Sequence, residues 1–263
     1  MVPTASLLMI VLNLVLGFAV PIGLAWWMVR KYQVKWSTIL IGAATFFVFV
    51  LVLEALVHQV VLKGPHGAAI QGNIWYYALY GGLMAGLFEE TGRFLAMKFL
   101  LKKEPSTALP GIAYGIGHGG AEMLFVFGVT MVSYLAMAVM VNTGQADTLL
   151  SQAPAEAQAQ AQVSEQIDKL VASKPGDYLL GLWERASALI LQVSLSVLVW
   201  LAVRKGGRWL WLFPAAILLH AGVDAGTVLL SKSADMVVIE LLVLAEALAV
   251  AALAWLLVRR ACR

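Results

Sequence analysis

Long apolar stretches alternate with short polar connections along almost the whole chain. Runs with few charges fall at about 6–29, 37–62, 74–101, 109–141, 178–203, 209–230 and 236–258. Each is as long as the roughly 20 residues a helix needs to cross the hydrocarbon core of a bilayer. The pattern predicts an all-α polytopic membrane protein, a bundle of about seven transmembrane helices, with residues 1–263 forming a single transmembrane domain. The one long connection, 142–177, is rich in Ala and Gln and acidic. It reads as an extracytoplasmic loop, either a solvated linker or, from about Ala155 to Val171, an amphipathic helix.

Composition supports this reading. Hydrophobic residues make up 61% and charged residues 13% of the chain, about half the charged share of an ordinary soluble domain. A soluble helical protein would need charged helix faces that these segments lack. The first apolar run is too long for the core of a cleavable signal peptide and has no basic residue before it, so it reads as a spanning helix.

Basic residues give an orientation. Arg30, Lys31, Lys35, Lys98, Lys102, Lys103, Arg204, Lys205, Arg208, Arg259, Arg260 and Arg263 fall on one side of the predicted bundle, and only Lys63, Lys169, Lys174 and Lys232 on the other. The rule that basic loops stay inside places the N-terminus outside and the C-terminus in the cytoplasm of what reads as a bacterial cytoplasmic membrane. The net charge of +3 reflects those loops, so the expected partners are membrane lipids and not nucleic acid. The single cysteine, Cys262, cannot form an internal disulfide.

The informative residues are the ionisable ones inside the apolar runs, which cost roughly 2.5 to 3.5 kcal/mol each at bilayer depth on insertion scales. The third run carries LFEETGRF, with Glu89, Glu90 and Arg93; the fourth carries GHGGAE, with His118 and Glu122; the sixth carries LLHAGVDAG, with His220 and Asp224. In each, an i,i+4 spacing puts a pair on one helix face. At about 1.5 Å per residue, Glu89, His118 and His220 lie roughly 20, 16 and 18 Å from the cytoplasmic ends of their helices. That agreement predicts one polar chamber, with Gln192 and Glu246 at a similar depth. Glu54, Glu184, Arg185 and Glu240 count out nearer the outer surface, as an ion-pair layer in which Arg185 meets Glu54 or Glu240. Gly111, Gly115 and Gly119 form a small-residue ladder that allows close helix approach.

Two histidines among carboxylates can hydrolyse a peptide bond in two ways. They can hold a divalent metal, zinc before others, that activates water. Alternatively a glutamate activates water while histidines stabilise the oxyanion. The soluble-zincin motif H-E-x-x-H is absent.

The strings FEETGRF, GIGHGGAEM, WERASALILQVSLSVLV and LHAGVDAG together resemble the YhfC family of intramembrane metalloproteases, which is related to the PrsW proteases, the Aph subunits of gamma-secretase and, more distantly, the type II CAAX prenyl endopeptidases. The resemblance implies an intramembrane peptidase acting on a membrane-embedded peptide or protein. It implies Glu89 or Glu90 as water-activating base, Arg93 as organiser, and His118, Glu122, His220 and Asp224 as metal ligands or oxyanion-site groups. Such proteins often have histidine where this chain has Gln192, a departure that weighs against the metal more than against the carboxylate. The competing expectations are a non-catalytic membrane scaffold and a proton-coupled transporter, since embedded His and Glu also make proton relays.

Overall fold

The computed structural model describes residues 1–152 and 157–262, and its regular structure is helical throughout. In chain order the helices are α1 (Thr4–Tyr32), α2 (Trp36–Leu62), α3 (Gly67–Gly72), α4 (Ile74–Phe99), α5 (Leu109–Asn142), α6 (Ala146–Gln152), α7 (Ala157–Ala172), α8 (Pro175–Lys205), α9 (Leu212–Leu230) and α10 (Met236–Ala261). A 3-10 turn, Gly207–Trp211, leads into α9. Of these, α1, α2, α5, α8, α10 and α9 with its 3-10 lead are long and apolar enough to span a membrane. The remaining long helix, α4, has 26 residues and carries Glu89, Glu90 and Arg93. The predicted runs therefore each correspond to a helix. Of the two readings of the 142–177 connection, linker or helix, the helix is present as α7; Ala155 and Glu156, within its predicted span, and Arg263 of the basic set lie outside the described residues.

Local chemistry explains several boundaries. The Asn73 side chain accepts hydrogen bonds from the backbone N–H of Trp75 at 2.9 Å and of Tyr76 at 3.3 Å, capping α4. Asp235 does the same for α10 through Val237 N, at 2.9 Å. Two long helices contain π-helical stretches, Phe47–Glu54 in α2 and Met123–Gly128 in α5. The wider i→i+5 winding advances less per residue and changes which face later side chains occupy.

The chain divides into two compact units. One comprises residues 1–20 and 123–185, with a core of Ile10, Phe127, Met131, Ala138, Leu170 and Tyr178. Its polar groups clip backbone to backbone: Val2 N donates to Asn142 Oδ1 at 2.6 Å, Ser6 Oγ to Ser173 O at 2.8 Å, and Asn13 Nδ2 to Tyr178 O at 2.8 Å.

The other unit comprises residues 21–122 and 186–263 and holds every predicted site residue. Its helices approach until backbones touch. A Cβ on Gly82 of α4 would sit 2.4 Å from Ala221 O of α9, and one on Gly86 would sit 2.6 Å from Ile217 O. The predicted glycine ladder of α5 lies on α8: Cβ atoms at Gly111, Gly115 and Gly119 would meet Trp200, Val193 and Gln192 at 2.7 to 2.8 Å. On another face of α5, a Cβ at Gly117 would lie 1.9 Å from Ile39 O of α2. Bare backbone on both flanks of His118 is what lets α5 fit between α2 and α8.

The unit is apolar outside and polar within. Leu218 is 68% and Leu40 61% exposed, whereas Glu90, Arg93 and His118 are 0% exposed. In water this distribution would expose far more apolar surface than a soluble protein tolerates, so the surrounding solvent is lipid. Aromatic rings stand beside basic residues at helix ends: the charged groups of Arg30, Lys31 and Arg259 lie 5.7, 5.1 and 4.4 Å from the rings of Trp26, Trp27 and Trp255.

Candidate functional site

The site begins on α4, where Glu89, Glu90 and Arg93 fall within one turn and are buried. Because residues three and four apart share a helix face, Arg93 reaches back to both acids. Its Nη1 donates to Glu90 Oε1 in a short contact, and its Nη2 donates to Glu89 Oε2 at 3.0 Å. Nη2 also donates to Gln192 Oε1 of α8, again in a short contact.

Glu89 is the centre of the cluster. Its Oε2 accepts from Arg93, from Gln192 Nε2 at 3.0 Å, and meets His118 Nε2 of α5 at 2.8 Å. Its other oxygen, Oε1, stands 3.9 Å from His220 Nε2 of α9. His118 is fixed by rings on two sides, Tyr114 stacked at 6.0 Å between centroids and Phe46 edge-on at 5.3 Å. His118 Nδ1 is buried without a hydrogen-bond partner among the described residues. An orphan N–H there would be costly, so the proton belongs on Nε2, donating to Glu89.

His220 presents Nδ1 to Glu90 Oε1 at 2.8 Å and Nε2 to Asp224 Oδ2 at 3.7 Å. Glu122 accepts from Gln192 Nε2 at 2.6 Å. The predicted residues Glu89, Glu90, Arg93, His118 and His220 thus converge with Gln192, and Glu122 and Asp224 stand at the margins. Glu246 does not join them: it lies on an exposed position of α10.

One guanidinium faces two buried carboxylates, which leaves the centre short of one positive charge. An uncompensated buried charge costs several kcal/mol, so a further proton resides within the cluster.

The donor set does not suit a metal. No group of three or more His, Cys, Asp or Glu among the described residues converges as metal ligands. The Glu89 oxygen nearest His118 already accepts from a guanidinium and an amide, and a cation placed there would face Arg93. Of the four expected ligands, His118 meets Glu89, Glu122 accepts from Gln192 and His220 meets Glu90, while Asp224 stands 3.7 Å from His220 Nε2.

Sequence reasoning missed Glu54. Counted at the α rise it belongs to the outer layer, yet it is buried, within electrostatic range of Glu89, His220 and Asp224. The π-helical stretch that ends at Glu54 shortens the true distance and turns the residue. Glu54 Oε1 pairs with His58 Nε2 at 3.2 Å, and Arg185 contacts the neighbouring Glu184. The flanking rings were partly readable, since Tyr114 precedes His118 by one turn; Phe46, from α2, had no such signal.

Fold and cluster define a polytopic membrane protein with an arginine-centred acid and histidine site buried inside its helices. The chain belongs to the YhfC intramembrane metalloprotease family, whose model matches residues 16–244. It is 38% identical over 234 residues to the uncharacterized membrane protein YhfC of Bacillus subtilis (strain 168), covering 88% of each chain. No solved structure matches it. The family description carries a metal, which is the feature the donor set above does not accommodate.

Proposed function

We propose that the protein is a bacterial intramembrane peptidase that hydrolyses a peptide bond of a membrane-embedded substrate with a glutamate-activated water. The observation that carries this reading is the asymmetry of Glu89. One oxygen is tied down by Arg93, His118 and Gln192, while the other faces His220 Nε2 at 3.9 Å, a gap one water spans in a bent arrangement.

Glu89 Oε1 takes a proton from that water as its oxygen attacks the carbonyl carbon, and passes it to the leaving amine nitrogen as the C–N bond breaks. Arg93 and His118 hold the carboxylate in place and keep it ionised until the proton arrives. His220 acts as the imidazolium: Nδ1–H donates to Glu90 and Nε2–H stabilises the oxyanion. Its charge makes up the deficit left by Arg93, which gives Glu90 an orienting role. No step passes through a metal.

The direct test uses protein reconstituted in liposomes with a panel of membrane-spanning peptides. Cleavage should persist with a chelator present and fall by roughly 10²–10⁴-fold in Glu89→Gln. Full activity of that variant rejects the mechanism. The N-terminus lies outside and the C-terminus in the cytoplasm on this reading; labelling of single cysteines in 144–152 from the cytoplasmic side would reverse it.

A further inference from the structure

Between the buried cluster and the end of the unit formed by residues 71–74 and 228–232, the structure holds a second acidic set that the reaction above does not use. Glu54 is 5% exposed, and its Oε2 has no hydrogen-bond partner among the described residues. Its Oε1 pairs with His58 Nε2 at 3.2 Å, and His58 Nδ1 meets Tyr80 OH at 2.8 Å. Its carboxyl lies within electrostatic range of Glu89 and Asp224. The Asp224 side chain is 39% exposed, against 8% for Glu89 and 4% for His220.

Access rises in the same direction. A cavity of about 700 Å³ is lined by Gln71, Ile74, Tyr77, Val228, Ser231 and Lys232. Tyr77 is about one helical turn from Tyr80, and Val228 about one turn from Asp224. Tyr80 and Asp224 thus stand about one turn from the cavity's lining, on α4 and α9 respectively.

A buried carboxylate oxygen without a donor is expensive to leave unsatisfied. With Glu54 and Asp224 beside the cluster, four acids, Glu54, Glu89, Glu90 and Asp224, face two cations, Arg93 and the His220 imidazolium. What this arrangement lacks is a further cation bearing N–H donors. A metal ion fits poorly, because no set of three or more ligands converges among the described residues, but an ammonium or guanidinium needs only hydrogen-bonding distance and tolerates loose geometry.

We propose that Glu54 and Asp224 form a specificity subsite that binds a basic side chain of the peptide substrate, lysine or arginine, next to the scissile bond, in a chain entering from the 71–74 and 228–232 end. The inference rests on the peptidase reading. The Glu54 carboxylate accepts from the substrate's N–H groups through Oε2, while His58, held by Tyr80, fixes Oε1. Lys232 at the mouth repels the same cation, so binding begins deeper, at Asp224.

The test compares two spanning peptides identical except for lysine or norleucine beside the scissile position, with purified wild type, Glu54→Gln and Asp224→Asn in liposomes, each with and without chelator. The lysine peptide should be cleaved about tenfold better by wild type, the discrimination of one charge-assisted hydrogen bond. Glu54→Gln should bring the ratio of the two kcat/KM values close to one, and Asp224→Asn should lower it. Equal cleavage by wild type, or a ratio unmoved in both variants, overturns the subsite while leaving the peptidase intact. If neither peptide is cleaved by any protein, the peptidase reading fails. Thermal stabilisation by the two peptides then decides the subsite: greater stabilisation by the lysine peptide, lost in Glu54→Gln, supports it, and equal stabilisation removes it.

Discussion

The two units handle buried polarity in opposite ways. In the unit of residues 1–20 and 123–185, neutral side chains hold backbone groups: Asn13 on Tyr178, Ser6 on Ser173, Asn142 on Val2. In the unit of residues 21–122 and 186–263, charged side chains hold one another, with Arg93 bonded to Glu89 and Glu90 and each of these acids to a histidine. Neutral clips suffice to fasten helices at small cost. Ionisable groups cost more in lipid and must be mutually neutralised, so the cluster of Glu89, Glu90, Arg93, His118 and His220 is held at a cost in stability that fastening helices does not require.

Four substitutions test that contrast, from the largest expected effect to the smallest. Removing Arg93 as Arg93→Ala leaves two buried carboxylates uncompensated and should destabilise the protein by about 3–5 kcal/mol, seen as a large loss of folded protein in detergent. If Arg93→Ala keeps the wild-type melting temperature, the charges are not coupled as described. Gly117→Val pushes a side chain against Ile39 O and should cost about 1–3 kcal/mol or more through overpacking, read by thermal unfolding. Gln192→Leu removes the amide that bridges Glu89 and Glu122 and should cost about 1–3 kcal/mol together with most of the hydrolysis. On the other side of the comparison, Asn13→Leu should cost only about 1 kcal/mol and leave cleavage near wild type. An Asn13 variant that abolished cleavage without unfolding would break the division of labour between the units.

The helices were legible because a bilayer demands long uninterrupted apolar runs, and the runs ending near Leu62, Leu230 and Asn142 close where the helices do. The cluster was legible for a related reason: depth can be counted along a helix, so residues matched in depth were candidates to meet. What counting could not give was lateral direction. Glu246 has the right depth and faces outward. Gln192 looked like a departure from a histidine pattern, yet its amide joins Arg93, Glu89 and Glu122 because an amide donates and accepts at once. Glu54 was misplaced because its helix leaves α geometry over Phe47–Glu54, and no periodicity announces an i→i+5 turn.

The tryptophans with their basic neighbours at the ends of α1 and α10 have a consequence for the setting in which the site works. Indole rings settle at the boundary between headgroups and acyl chains, and Trp26, Trp27 and Trp255 are each paired with a cation there. They pin one edge of the protein to one face of the membrane. The level of Glu89 is then a fixed distance from that face, whereas its distance from the opposite face follows the lipid, so a thicker bilayer lengthens the path on that side. If Glu89 is the base proposed above, membrane thickness becomes a selector: the bond presented to it is set by how far along its own span a substrate crosses that level.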